Sequence, residues 1–305
     1  MSSEMKELAV VTGASTGIGA ATAQELSRRG FHVIAGVRRV QDADAIRGPG
    51  IEPVILDITK SDHIEALVTR VKDDVHGRQL RALVNNAAVQ ANVPVEVFAL
   101  DDWRRMFEVN LFGQVAVIQA LLPALIRSKG RVVNISSVGG KVAMPTYGPY
   151  AATKFALEAV SDALRRELSP AGVQVVAVEP GAVQTEMLGR AIATARDLVS
   201  GMTIEQSQRY GRLLHAVNAQ AESSTNAGLP AHAAALVIAK SVTTRRPRPR
   251  YTVGRDAAMI TRLVRFVSDR MLDRILDREL RRYYPTDTEG RYLADAFSLP
   301  IRTGA

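Results

Sequence analysis

The chain has 305 residues, a formal net charge of +8, 47% apolar residues, 23% charged residues and no cysteine. That length and apolar content exclude a disordered chain and suffice for one α/β domain with a large core. The missing cysteines exclude a disulfide framework, a zinc–thiolate site and a thiol nucleophile, and the His at 32, 63, 76, 215 and 232 show no ligand spacing, so no metal is expected.

The opening residues, MSSEMKE, carry no apolar signal core. The longest nearly apolar run, Val115–Ile126, is too short to span a bilayer and is interrupted by Gln119 and Pro123. A cytoplasmic protein is expected, soluble or peripheral to a membrane.

Short runs rich in Val, Ile and Leu predict strands at Leu8–Thr12, His32–Gly36, Pro53–Asp57, Ala82–Asn85, Arg131–Ile135, Val173–Val178 and Tyr251–Val253. Amphipathic stretches between them predict helices at Gly19–Arg29, Asp62–Val75, Asp101–Ser128, Tyr150–Leu168 and Ala231–Val242. Asp101 is the expected N-cap of the third, and Gly30, Gly77, Gly130 and Gly172 are the expected stops. Apolar strands alternating with helices predict an α/β fold: a doubly wound parallel sheet of Rossmann type, with helices on both faces and right-handed crossovers. Residues 1–255 read as one domain. The polar segment 182–228 reads as a lid with one or two short helices.

Residues 256–305 read as a basic amphipathic extension. Between Arg245 and Arg282 there are twelve Arg and five acids, a net of +7, so the rest of the chain is close to neutral. Apolar residues at steps of three and four predict one helix over 257–284. Such a helix can dock on its own domain or on a second subunit, or lie on a membrane surface. No recognition motif accompanies the charge, so a nucleic-acid partner is not expected.

Three motifs carry chemistry. The first strand ends in Thr12-Gly13-Ala14-Ser15-Thr16-Gly17-Ile18-Gly19, and a helix follows. Three glycines there permit a tight turn and let backbone N–H groups approach a pyrophosphate at the helix N-terminus. Tyr150 and Lys154 stand at i and i+4 and share a helical face, so the cation can favour the phenolate and the phenol can exchange a proton with a carbonyl oxygen. Thirteen residues upstream, at a strand's carboxyl end, Ser137 can polarise that oxygen, with Ser136 as the alternative.

This set resembles the short-chain dehydrogenase/reductase family in its short single-domain branch, over about the first 240 residues. The resemblance implies a nicotinamide dinucleotide held by Gly13, Ser15, Thr16, Gly17, Ile18 and Gly19. It implies adenosine contacts from Asp57 and Ile58, and packing of Asn86 and Ala87 on the cofactor within Asn85-Asn86-Ala87-Ala88, where Ala88 replaces the usual glycine. Asn110 resembles the fourth catalytic residue beside Ser137, Tyr150 and Lys154, and Pro180, Gly181, Val183 and Thr185 resemble the nicotinamide-side contacts.

After the second strand, Arg38 and Arg39 follow Val37 where relatives using NAD carry an acid. Guanidinium groups suit a 2′-phosphate, so NADP(H) is preferred. NAD(H) stays open, because Thr16 stands where many NADP-using relatives carry a basic residue. The branch resembled, that of hydroxysteroid and retinol dehydrogenases, implies carbonyl–alcohol interconversion on an apolar steroid-, retinoid- or lipid-like substrate by a homodimer or homotetramer. The alternatives are an NAD-dependent alcohol dehydrogenase of the same fold and a non-catalytic dinucleotide sensor.

Overall fold

The computed structural model describes residues 7–284. The remainder of the expected extension, 285–305, lies outside them. In chain order the strands are β1 (Glu7–Val11), β2 (Phe31–Val37), β3 (Ile51–Ile55), β4 (Gln79–Asn85), β5 (Arg131–Ile135), β6 (Gln174–Pro180), β7 (Val183–Gln184), β8 (Leu229–Pro230) and β9 (Arg250–Val253). The helices are α1 (Gly17–Arg28), α2 (Val40–Ile46), α3 (Ser61–Lys72), α4 (Leu100–Phe107), α5 (Gly113–Ser128), α6 (Gly148–Leu168), α7 (Glu186–Val199), α8 (Ile204–Asn226), α9 (Ala231–Thr243), α10 (Arg255–Leu263) and α11 (Asp269–Leu280).

Seven strands form a parallel sheet in the order β3-β2-β1-β4-β5-β6-β9. Side chains alternate between its faces. Ala9 and Val11 of β1 join Val133 and Ile135 of β5 in one core, which α1 and α9 close with Leu26, Ile238 and Val242. Leu8 and Val10 join Val132 and Val175 in the other, closed by Leu67 of α3 and by Val117, Ile118, Leu121 and Leu125 of α5. The chain winds outward from β1 to β3 and then crosses to β4, so the carboxyl ends of β1 and β4 diverge at a switch point, the ligand crevice of such sheets.

Several elements differ from expectation. Ala99, not Asp101, is the extended residue before α4; Asp101 lies within the first turn and accepts from Arg104 at 2.6 Å. An N-cap must precede the first helical residue, and Leu100 already has that place. The long helix expected over Asp101–Ser128 is interrupted by a π-helical turn at Glu108–Phe112. Together α4, that turn and α5 are long and apolar enough to cross a membrane, but α5 is a core helix here. Helix α2 was not expected: its seven residues bury only Ala43 and Ile46, too few to show a period.

Gly30, Gly77 and Gly172 adopt the left-handed conformation expected of stops, whereas at the end of α5 Lys129 does so (φ +50°) and Gly130 follows. A Cβ at Gly130 would lie 2.9 Å from the Leu80 carbonyl, so close packing explains that glycine.

The segment 182–228 holds two substantial helices, α7 of 14 residues and α8 of 23, rather than short ones. Its base is clasped where β7 pairs with β8 and the Leu229 N–H donates to the Ala182 carbonyl at 3.1 Å. The helix expected over 257–284 is two helices, because Ser268 is extended (ψ +156°) and opens α11. A Ser-Asp pair is a helix-start signal, and the continuous apolar spacing masked it.

Candidate active site

At the carboxyl end of β1, Gly13 and Gly17 have φ of +63° and +57°. A Cβ on Gly13 would lie 2.7 Å from Ala87 Cα, and one on Gly19 would lie 2.2 Å from the Gly13 carbonyl oxygen. These positions therefore demand glycine. The turn is tied to the end of β4: the Asn86 amide donates to the Thr12 and Gly13 carbonyls, both at 3.0 Å, and the Thr12 hydroxyl accepts from the N–H groups of Asn86 and Ala87. Ala88 replaces the expected glycine without strain; among the described residues the non-glycine positions at positive φ are Lys129 and Thr146. No side chain caps α1, so its N-terminus faces the crevice without an internal anion.

Arg38 is exposed and lines the cavity above this turn. Arg39 does not line it. Its guanidinium donates twice to Asp42, at 2.8 Å each, and is held on α2. An acid three residues on thus competes with any cofactor phosphate for this arginine. Asp57 lines the cavity while its carboxylate accepts from the Thr59 N–H and hydroxyl at 3.0 and 2.7 Å, so it also caps its own turn. Arg190 of α7, not singled out by its sequence context, reaches the same cavity and pairs with Glu186 at 2.9 Å.

Helix α6 starts at Gly148 and brings Tyr150 and Lys154 under the carboxyl ends of β5 and β6, both side chains buried. The Lys154 ammonium lies 5.7 Å from the Tyr150 ring centre and donates to the Ile135 carbonyl at 2.8 Å. Burial pushes the Tyr150 phenol up to about 12, against a hydrogen bond from Ser137. Burial also pushes Lys154 down to about 8, against the pull of Glu158. Tyr150 is therefore a neutral acid at pH 7, set beside a mostly charged ammonium. The Ser137 hydroxyl accepts from the Gly139 N–H at 3.0 Å, and a Cβ on Gly139 would crowd both Ser137 and Tyr150, at 3.4 and 3.3 Å. Ser136 lies buried against Gly140 instead. Of the two serines, Ser137 is the one beside the phenol.

Asn110 sits in the π-helical turn, wholly buried and outside the cavity wall. Its amide holds Val89, which is in the wall, and donates to the Thr153 hydroxyl at 3.1 Å. On the other side, Pro180, Gly181, Val183 and Thr185 complete the wall. Thr185 Cγ2 would lie 3.1 Å from a Cβ on Gly17, so the start of segment 182–228 lies against the glycine turn.

The cavity has a volume of 1240 Å³ and collects every expected site residue except Arg39 and Asn110. Its far end holds residues with no motif of their own: Val142, Met144 and Tyr147 near α6, Leu188 of α7, and Ile275 and Leu276 of α11. Tyr147 packs against both the cluster around Tyr150 and the cluster of Ala216, Val217 and Leu280, so α8 and α11 meet the start of α6 through it. It follows Thr146, a buried β-branched residue at φ +66°. Its place one turn before Tyr150 was the available signal.

Residues 7–196 match the family model described as short chain dehydrogenase.

The chain belongs to the short-chain dehydrogenase family.

It is thus an oxidoreductase of that family. It is 33% identical over 282 residues to an NADPH-dependent 3-dehydrocapnine reductase of Ornithobacterium rhinotracheale, covering 90% of this chain and 97% of that one. It is 32% identical over 278 residues to 17-beta-hydroxysteroid dehydrogenase type 6 of Homo sapiens, covering 88% and 87%. A short-chain dehydrogenase from Burkholderia cenocepacia, solved in complex with NADP, superimposes with a TM-score of 0.68 at 25% identity, covering 88% of this chain and 97% of that one. The short-chain dehydrogenase cofactor has a fitting cradle here: a turn closed to any Cβ, an uncapped helix N-terminus and the exposed Arg38.

Proposed function

We propose that the protein is an NADP(H)-dependent oxidoreductase that interconverts a carbonyl and an alcohol on an apolar substrate. The observation that carries this reading is the single cavity in which Ser137, Tyr150 and Lys154 stand between a glycine turn and an apolar far wall. The cradle would be formed by Gly13, Ser15, Thr16, Gly17, Ile18 and Gly19, with Asn86 and Ala87 behind it. Arg38 would hold the 2′-phosphate, Asp57 and Ile58 the adenosine, and Pro180, Gly181, Val183 and Thr185 the nicotinamide. A bound nicotinamide dinucleotide supplies the hydride for reduction and takes it up in oxidation.

The residues do the rest. Ser137 donates a hydrogen bond to the substrate oxygen and keeps it within reach of the phenol. Tyr150 gives that oxygen its proton during reduction and recovers it during oxidation. Lys154 stabilises the phenolate that forms, and Asn110 holds the loop at Val89 and bonds Thr153 of the helix that carries Tyr150. The apolar wall around Met144, Leu188, Ile275 and Leu276 accepts a steroid-, retinoid- or lipid-like body. The names of the two relatives, an NADPH-dependent reductase and a hydroxysteroid dehydrogenase, support both parts of the reading.

The test is turnover. Purified protein is offered ketones and aldehydes of increasing apolar bulk with NADPH and with NADH. Oxidation of NADPH is expected with the apolar members and is expected to vanish in Tyr150→Phe, with NADPH binding retained. Binding of NADPH with no carbonyl turned over would favour a dinucleotide sensor, and equal use of NADH would favour the NAD-dependent alternative.

A further inference from the structure

Helix α10 carries its large side chains on the wrong side for a helix packed only on its own domain. The most buried residues of the helix are small, Ala257 at 3% exposed and Thr261 at 7%, and Ile260 lines the substrate cavity. Ala257 fits over Gly181, where a Cβ would come within 2.8 Å of it. Facing outward are Met259, 65% exposed, Leu263, and Phe266 at the elbow, 88% exposed; Met271 of α11, 52% exposed, continues the patch. A helix on a domain surface normally buries its apolar stripe and solvates the polar one. Here Met259, Leu263 and Phe266 are left outside that buried stripe.

Arginines bracket the outward stripe. Arg255, Ala258, Met259, Arg262, Leu263 and Phe266 recur at steps of three and one and line one shallow depression. No acid falls in that stripe. Arg265, Arg270 and Arg274 stand nearby, also exposed. Arg250 is spent inside the fold on Glu158 and Asp162, at 3.0 and 2.9 Å, and Arg281 and Arg282 pair with Asp277 and Glu279. Among the described residues, Arg255, Arg262, Arg265, Arg270 and Arg274 have no ion-pair partner. The acids Asp269 and Asp273 of α11 are likewise unpaired and reduce the local charge without cancelling it.

We infer that the outward face of α10 and its elbow is a docking surface for an anionic lipid bilayer. Aromatic and aliphatic tips flanked by arginine match the boundary between acyl chains and anionic headgroups. A second protein is a poorer fit, because a stable protein interface takes roughly 20–30 residues a side and this stripe is one helix face. Position adds to the argument: Met259 and Leu263 line both the docking face and the substrate cavity. The cavity therefore opens at the surface that meets the bilayer, and an apolar substrate can pass between them without crossing water. That route rests on the apolar-substrate reading above; the docking itself does not.

The test is co-sedimentation of the full chain with vesicles of phosphatidylcholine alone and of equimolar phosphatidylcholine and phosphatidylglycerol. The protein is expected to pellet with the mixed vesicles, to remain in solution with the neutral ones, and to be released by salt. Phe266→Glu is expected to abolish binding. The triple variant Arg255→Gln, Arg262→Gln, Arg265→Gln is expected to weaken it about a hundredfold. Neither change touches the cavity wall, so reduction of a small water-soluble ketone in solution should be unchanged, which shows the variants folded. Failure of the parent to bind mixed vesicles, equal binding to neutral ones, or unaltered binding by Phe266→Glu would overturn the inference. So would a fall in oligomer mass in Phe266→Glu, since the face would then join copies of this chain. Vesicle binding without turnover of any carbonyl would leave the docking standing and count against the proposed reaction alone.

Discussion

Asn110 and Val89 exchange two hydrogen bonds of 2.8 Å: the Val89 N–H donates to the Asn110 side-chain oxygen, and the Asn110 amide donates to the Val89 carbonyl. The side chain thus pairs with the backbone as a neighbouring strand would, and the π-helical turn places it there. Asn110→Leu would leave both Val89 groups unsatisfied beside a buried helix. A loss of about 2–4 kcal/mol in urea unfolding is expected, with a raised KM for the carbonyl because Val89 lines the cavity. An unchanged midpoint would show that water replaces the pair freely.

Lys154 gives a pH signature. Burial holds it at about 8 against an ordinary 10.5, so between those values the unfolded chain binds the proton and the folded one does not. Stability then rises with pH across that window, and the full cost is present below pH 8. Lys154→Met is expected to be more stable than the parent at pH 7, by up to about 3 kcal/mol, with the gap closing near pH 10.5 and carbonyl reduction lost throughout. Equal destabilisation at both pH values would contradict this.

The two arginines after β2 should separate cleanly. Arg38→Ala is expected to weaken NADPH relative to NADH by about 10–100-fold, because its guanidinium faces the cavity. Arg39→Ala should change that ratio far less, because Asp42 already holds Arg39. Titration of both dinucleotides against both variants, by fluorescence, decides it.

Thr146 offers a stabilising change. A β-branched residue at φ +66° is strained, and its buried hydroxyl has no hydrogen-bond partner. Thr146→Gly is expected to raise stability by about 1–2 kcal/mol and to raise the KM for the carbonyl, since Tyr147 loses a rigid neighbour. Thermal unfolding and steady-state kinetics read the two effects separately.

At the outer edge of the sheet, Arg70 and His32 hold the Glu52 carboxyl down to about 2, with the bonds from Arg70 at 2.6 Å contributing most. This lowered value contributes stability above about pH 4.5 that is lost as pH falls toward 2. Glu52→Gln should flatten the acid limb of a stability–pH curve in that range and leave carbonyl reduction intact.

Much of this was legible in the chain itself. Apolar runs gave the seven sheet strands because a parallel sheet buries both faces and leaves an unmixed signal. The glycine turn was legible because it follows the first strand and opens a helix, and the Tyr150–Lys154 pair because Ser137 stands thirteen residues upstream at a strand end. The pairing of Arg39 with Asp42 was not read from the chain, and the π-helical turn was hidden because apolar spacing runs straight through it. The far wall of the cavity could not be read at all. Tyr147, Leu188 and Ile275 come together through contacts between elements distant in sequence, and no spacing rule records such contacts.

One consequence follows from the packing of Leu280 against Ala216 and Val217, with Tyr147 alongside. The sheet and the catalytic trio are complete once β9 has formed, but the substrate chamber still lacks a side. Helix α11 supplies that side with Ile275 and Leu276, so the groups placed to do the chemistry and part of the wall that selects the substrate are carried by separate stretches of chain.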